Sequence, residues 1–265
     1  MMKMTPVVKQ LLIINIIFFI GSQLVPVSYN YLMLYYPESD DFRAWQIITH
    51  MFMHAQWPNF AHILFNMFAL YSFGSALEHF WGGKKFLFFY ISCGLGAALL
   101  HTGVNYLQIH SLLDSVSNLN LSKADLHLIL NSRYTVGENI QGEVATILNN
   151  AHCTQEQFNV LGQAAAITQS PVLGASGAIY GLLTAFAFMF PNAELALMFI
   201  PVPIKAKYFV PGILAIDLFL GFKGSSLFGS GGTGIAHFAH IGGAVAGFLM
   251  MLYWKKNQFN NNRWN

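Results

Sequence analysis

Apolar residues gather in six runs along the chain, and about 20 of them in a helix cross the hydrocarbon core of a bilayer. The runs are 7–27, flanked by Pro6 and Pro26; 58–78; 84–107; 175–190, which is short and stops at Pro191; 207–222, with Pro211 near its start; and 234–254. Each predicts a membrane-spanning helix. Between the third and fourth runs the pattern changes in kind. Residues 108–170 hold Asp114, Asp125, Glu138, Glu143 and Glu156 among many Asn, Gln and Ser. Within them, 126–130 and 144–148 space their apolar residues as short amphipathic helices do. This segment predicts a soluble insertion, and residues 255–265 a flexible polar tail. The expected fold is an all-α polytopic membrane protein, with 1–265 a single membrane domain and no internal repeat.

Composition agrees with that reading. Charged residues are 9% of the 265, hydrophobic ones 55%, aromatics 15%, and mean hydropathy is +0.48. A soluble domain carries about 25% charged residues. A disordered chain, a coiled coil and a disulfide-rich module are excluded. The net charge of +2 offers no nucleic-acid surface. Of the two cysteines, Cys93 sits in an apolar run and reads as a buried hydrophobe. The His152-Cys153 pair reads as incidental.

Charge also sets an orientation. With six spans both termini share a side, which collects Lys3, Lys9, Lys84, Lys85, Lys205, Lys207, Lys255, Lys256 and Arg263. The other side receives Arg43, Lys123, Arg133 and Lys223. The positive-inside rule puts the termini in the cytoplasm and the 108–170 insertion outside. Residues 1–23 have the basic start and apolar core of a signal peptide but no small-residue cleavage site, so they read as an uncleaved first span. Without an organelle presequence, the expected location is a bacterial-type plasma membrane.

Polar groups at membrane depth are costly, so each is a functional candidate. His62 and Asn66 lie at i and i+4 on one face of the second span. The fourth span opens Gly174-Ala175-Ser176-Gly177 and continues to Tyr180-Gly181; the sixth carries His237, His240, Gly242 and Gly243. All three constellations fall near the outer ends of their spans. Ser176, in a first helical turn, faces free N–H groups and a positive dipole end, which suits a nucleophile. Flanking glycines admit a substrate backbone. His240 is the candidate base, and His62, Asn66 and the Ser176 N–H are candidate oxyanion donors. Gly177, Gly181, Gly243 and Gly247 form small-xxx-small patterns that let the fourth and sixth helices approach. No Asp or Glu obviously orients His240, so the expectation is a dyad; Asp217 reads as lying at mid-depth. Taken singly, Ser176 is a helix cap, Asn66 interhelical glue, His62 an interior hydrogen-bonded group and His240 a packing residue. Their conjunction on three spans carries the catalytic reading.

These motifs, His62-Ile63-Leu64-Phe65-Asn66, Gly174-Ala175-Ser176-Gly177 and Ala239-His240-Ile241-Gly242-Gly243, resemble those of the rhomboid family of intramembrane serine proteases. The run from Trp45 to His54 resembles that family's first loop, although Gln46 follows Trp45 where members often have Arg. The resemblance spans nearly all the chain outside 108–170 and the tail. It implies a six-helix rhomboid-like bundle with Ser176 as nucleophile, His240 as base, and His62, Asn66 and the Ser176 N–H as oxyanion hole. It further implies that Tyr180 packs on His240, that Glu78 tethers helices near the cytoplasmic end, and that the fifth helix and the loop 221–234 form gate and cap. The substrates implied are transmembrane proteins met in the lipid bilayer, cleaved without metal or organic cofactor; nothing in the pattern sets an oligomeric state.

Three rivals stand beside this reading. One is a catalytically inactive rhomboid-like protein that binds membrane clients. Another is a metal or haem protein using several of the ten histidines, although no His-Glu-x-x-His motif is present. The third is a small transporter, for which repeat symmetry is lacking.

Overall fold

A computed structural model describes residues 3–132, 142–197, 200–223 and 235–258. It is an all-α membrane bundle. Helix α1 (Pro6–Leu24) leads to a long loop with two short helices, α2 (Ser28–Leu32) and α3 (Gln46–Thr49). Helices α4 (Phe60–Ala69) and α5 (Ser75–Trp81) join through a π-helical turn at Leu70–Gly74 into one rod. Then come α6 (Gly83–Ser115), the insertion helices α7 (Lys123–Asn131), α8 (Glu143–Asn150) and α9 (Gln155–Gln169), and α10 (Ser176–Met189). An antiparallel hairpin, β1 (Glu194–Leu197) and β2 (Ile200–Lys205), precedes α11 (Ala206–Lys223) and α12 (Ile235–Gln258). Among the described residues, Pro6–Leu24, Phe60–Trp81 and Gly83–Ser115 are long and apolar enough to cross a membrane, and Ser176–Met189 is a shorter apolar helix. Ile17, Leu24, Phe88, Leu99 and Phe222 stand out from the bundle, large side chains that suit lipid rather than water.

Two elements depart from the pattern-based expectation. The third helix does not stop at 107 but runs to Ser115. Its C-terminal end is held by the insertion: Ile109 packs with Tyr36, Leu130, Ala164 and Ile167. Val116 and Leu119 pack with Ile129, Val144, Leu148 and Leu161. Among the described residues the insertion forms helices, over both stretches where amphipathic helices are expected, and α7 and α9 begin with capping boxes, Ser122 with Asp125 and Thr154 with Gln157. The hairpin was not expected at all. The proposed cap 221–234 lies outside the described residues from 224 on, as does the tail from 259.

The centre of the bundle is where α6, α10 and α12 meet through small residues. A Cβ on Gly243 would overlap the Gly177 carbonyl; one on Gly247 would crowd the Gly181 backbone at 2.9 Å. A Cβ on Gly242 would meet the Gly96 carbonyl at 2.6 Å. Such backbone-to-backbone approach is how helices associate where lipid removes the hydrophobic drive. Around it sit Phe86, Phe89, Tyr90, Cys93, Ile179, Leu182 and Met251, all buried.

Glu78 ties the second rod to the start of α1. Pro6 fills the first helical position, where no N–H is needed. The next two N–H groups donate to Glu78: Val7 to Oε1 at 3.0 Å and Val8 to Oε2 at 2.8 Å, while the Thr5 hydroxyl donates to Oε2. A carboxylate at a helix N-terminus also meets the favourable dipole end.

The loop between α1 and α4 is organised by Gln46, which is wholly buried. Its Oε1 accepts from the N–H groups of Tyr35 and Arg43, and its amide donates to the carbonyls of Asn30 and Asp41. The Arg43 guanidinium turns outward to the Asp40 and Phe42 carbonyls. His50 donates from Nδ1 to the Gln46 carbonyl, and His54 Nε2 donates to Asn15 Oδ1 on α1.

Gly243→Ala is expected to lower the midpoint of thermal unfolding in detergent by several degrees, because the added methyl must push α12 off α10. Gly103→Ala on α6, where a Cβ meets nothing, is the control and should hold or raise it. Glu78→Ala should cost about 1–3 kcal/mol in denaturant unfolding, since the α1 donors lose their acceptor in a buried site; Glu78→Gln should cost less. Burial pushes His50 down to about 4 and His54 down to about 3 from the ordinary histidine value. The unfolded chain then binds more protons than the folded one below pH 6.5. Stability should therefore fall as pH drops from 6.5 toward 4, and His54→Gln should flatten that slope in acid-unfolding curves.

Candidate active site

Three elements deliver the polar groups. Ser176 is the first residue of α10, so its N–H has no partner within the helix. The chain enters that helix under tight control. Leu34 and Val172 exchange N–H···O bonds of 2.9 and 2.8 Å, and the Gly174 N–H donates to the His50 carbonyl at 2.9 Å. The serine is thus anchored to the first loop two residues before its helix begins.

His240, on the second turn of α12, places Nε2 2.9 Å from Ser176 Oγ. Its ring stacks on Tyr180, with centroids 4.3 Å apart and planes 10° from parallel. Both Ser176 and His240 are half-buried, open enough to meet a substrate.

His62, near the start of α4, faces the same place. A Cβ on Gly174 would come within 3.2 Å of His62 Nε2 and 3.3 Å of Ser176 Oγ, a close fit that favours glycine there. Its φ of +126° requires the same. The Ala55 N–H donates to His62 Nδ1 at 3.1 Å, which leaves the proton of the neutral ring on Nε2, directed at the serine region. Asn66 lies one turn on and is buried; its amide donates to the His62 carbonyl at 2.7 Å. The structure therefore brings Ser176, His240, Tyr180, Gly174 and His62 together. Asn66 stands on the same helix with one amide proton engaged by its own backbone. Glu78 lies at the other end of the second rod and Gly243 at the α10–α12 contact.

Two expectations are revised by this geometry. The glycines around Ser176 do not stand open to a substrate: Gly177 faces Ala97 on α6, and Gly174 faces His62 and Ser176. And His240 does have a carboxylate behind it. Asp217 Oδ1, on α11, is 3.4 Å from His240 Nδ1 and accepts a short hydrogen bond from His237 Nδ1. Asp217 lies six residues before the end of α11, and His240 five after the start of α12, so both sit about 8–9 Å below their helix ends. Counting from the facing helix ends rather than from the middle of the span finds this pair in the sequence.

Asp217, His237 and His240 also form the one group among the described residues whose ligand atoms lie close enough, within 4.8 Å, for a metal ion. Farther along the same helices, toward the hairpin, an apolar cavity of about 470 Å³ opens between α10, α11 and α12, lined by Phe188, Val210, Leu214, Leu218, Val245 and Phe248.

Comparison with known proteins agrees with the architecture. An uncharacterized mitochondrial rhomboid protein of Schizosaccharomyces pombe is 26% identical over 232 residues, covering 81% of this chain and 52% of that protein. The chain spans about half the length of that curated relative. The Rhomboid domain family matches residues 41–111 and 134–257, leaving within the insertion only 112–133 unmatched. With most of its length matched and its helices packed around the serine and histidine just described, the chain belongs to the rhomboid family.

Proposed function

We propose that the chain is an intramembrane serine endopeptidase that hydrolyses peptide bonds in or next to transmembrane segments of membrane proteins. The observation that carries this reading is the 2.9 Å approach of Ser176 Oγ to His240 Nε2, at the head of a helix and beneath a stacked tyrosine.

The chemistry follows from the groups present. A helical substrate hides its carbonyls in hydrogen bonds, so the segment at the cut unwinds first. Small or helix-breaking residues near the cut lower that cost. His240 Nε2 takes the Ser176 proton as Oγ attacks the carbonyl carbon, and the same proton passes to the leaving amine. The developing oxyanion is met by the unpaired Ser176 N–H and by His62 Nε2–H, with Asn66 supplying its remaining amide proton. Water, activated by His240, then releases the acyl group from Ser176. These steps use side chains and backbone of this chain and call on no cofactor.

The six apolar segments are read as six spans. Nine basic residues on the terminal side against four on the other place both termini in the cytoplasm, with the site near the outer face. The site then lies on the same side of the membrane as the insertion.

In proteoliposomes carrying a model transmembrane substrate, the wild type should cleave and react with a fluorophosphonate serine probe. Ser176→Ala should abolish both. His240→Ala should reduce kcat by 10³-fold or more, on the order seen when a serine hydrolase loses its base. His62→Ala should reduce it on the order of 10²–10³-fold, as loss of one oxyanion donor does. Cleavage that survives Ser176→Ala would sink the assignment. A wild type that binds membrane clients but neither cuts nor labels would support the inactive, client-binding reading.

A further inference from the structure

The polar chain that starts at Ser176 does not end at His240. Asp217 Oδ1 lies 3.4 Å from His240 Nδ1, on the far side of the ring from the serine. The same oxygen accepts from His237 Nδ1. The Tyr180 hydroxyl is close to this carboxylate too, below the ring it stacks on. Asp217 is only 4% exposed and His237 likewise 4%.

Packing gives no reason to keep an acid there. An ionised carboxylate taken out of water costs several kcal/mol even after relaxation, and a leucine or asparagine would fill the space more cheaply. Nor does the charge make an ion pair with a lysine or arginine: among the described residues its ion-pair contacts are His237 and His240. Yet three helices converge on it. Asp217 comes from α11, the two histidines from α12, and Tyr180 from α10.

We propose that Asp217 is a positioning residue for the proposed peptidase reaction, completing a Ser176–His240–Asp217 array in which His237 holds the carboxylate in place. The proposal rests on the protease reading. Asp217 Oδ1 accepts the Nδ1–H of His240. That bond selects the tautomer whose Nε2 carries a lone pair facing the Ser176 hydroxyl, and it prevents the ring from turning over. When Nε2 gains the serine proton, the ring becomes an imidazolium beside a carboxylate, and the charge pair lowers the energy of that step. Asp217 takes no proton itself. His237 donates to the same oxygen from one turn earlier on α12 and fixes the carboxylate's direction. The 3.4 Å distance belongs to a resting site, where such bonds are commonly long and tighten with substrate.

A metal held by the same three residues is the competing use. A tetrahedral zinc ion with bonds of about 2.0–2.1 Å keeps its ligand atoms roughly 3.3 Å apart. Asp217 Oδ1 and His237 Nδ1 are in direct hydrogen-bond contact, with no space for an ion between them.

The test compares purified wild type with Asp217→Asn and Asp217→Glu in proteoliposomes, reading kcat and KM on a cleaved transmembrane substrate and the rate of fluorophosphonate labelling. The asparagine keeps the volume but offers an amide that can donate to Nδ1 and hold the wrong tautomer. It should lower kcat on the order of 10²–10⁴-fold with KM within about twofold, and slow labelling in parallel. Asp217→Glu keeps the charge and should recover at least tenfold of that loss. A carboxylate that served only packing would move the unfolding temperature and leave kcat of the folded fraction near the wild-type value. Asp217→Asn with kcat within threefold of wild type overturns the proposal. If Asp217→Asn does not unfold cooperatively in detergent, the Glu variant decides: kcat more than 10³-fold below wild type in a folded protein, beyond what a tenfold recovery from the largest expected loss leaves, overturns it. Wild-type activity lost on chelation and restored by zinc overturns it in favour of the metal. A wild type that neither cleaves nor labels overturns the protease reading and this one with it; a cleaving wild type matched by Asp217→Asn overturns this one alone.

Discussion

The contact on which the rest depends is backbone against backbone: α12 lies on α10 with Gly243 over the Gly177 carbonyl and Gly247 over Gly181. In lipid there is no gain from hiding apolar surface, so helices that touch do so through shape and close approach. Here α6 presses in from a third side with Gly96, Ala97 and Cys93. The consequence is geometric. Gly243 is three residues from His240, and Gly177 is next to Ser176. The same seam that holds the helices together sets the 2.9 Å between imidazole and hydroxyl. A methyl group in the seam is thus a change in chemistry as well as in packing.

A second constraint is that buried polar groups need partners, and the end of the molecule that carries the site meets it by wrapping the loop between α1 and α4 around that site. Gln46 satisfies both ends of its amide within that loop. His54 reaches Asn15 on α1, and the His50 carbonyl takes the Gly174 N–H. The insertion joins the same web through the bonds of Asn131 to Asp40 and Glu38, and the segment that follows it joins through the Leu34–Val172 bridge. The peptide leading into Ser176 is therefore held from the side of the loop, while its helix is held by the seam. At the opposite end Glu78 performs one task, taking the free donors of α1.

Apolar runs of helical length are strong signals, and the ends of the expected spans fall close to those of α1, α4–α5, α10, α11 and α12. The third span misleads because its helix stays buried beyond the apolar run: Ile109 and Leu113 pack on the insertion, and hydropathy alone does not register that partner. The hairpin was missed because Pro201 and Pro203 break the usual strand signature in a short segment. At the site, Ser176, His240, His62 and Tyr180 were legible because each sits in a short motif. Gln46 and Asp217 were not. Gln46 matters through five bonds across its own loop, three of them to residues 11 to 16 positions earlier in sequence. Asp217 stands alone on its helix, and its value depends on the depth at which the next helix begins.

Two histidines in this site show how the same side chain receives opposite tasks. His62 accepts at Nδ1 from the Ala55 N–H, so its outward nitrogen carries hydrogen and can only donate. His240 has a carboxylate at Nδ1, so its outward nitrogen carries a lone pair and accepts from Ser176. Both face the serine, one suited to an oxyanion and the other to a proton. Neither assignment is a property of histidine. Each is made by the group behind the ring, a main-chain amide in one case and an acid in the other. Exchanging those two partners would leave every ring in place and reverse the chemistry, which is why the residues behind the histidines belong to the site as much as the rings do.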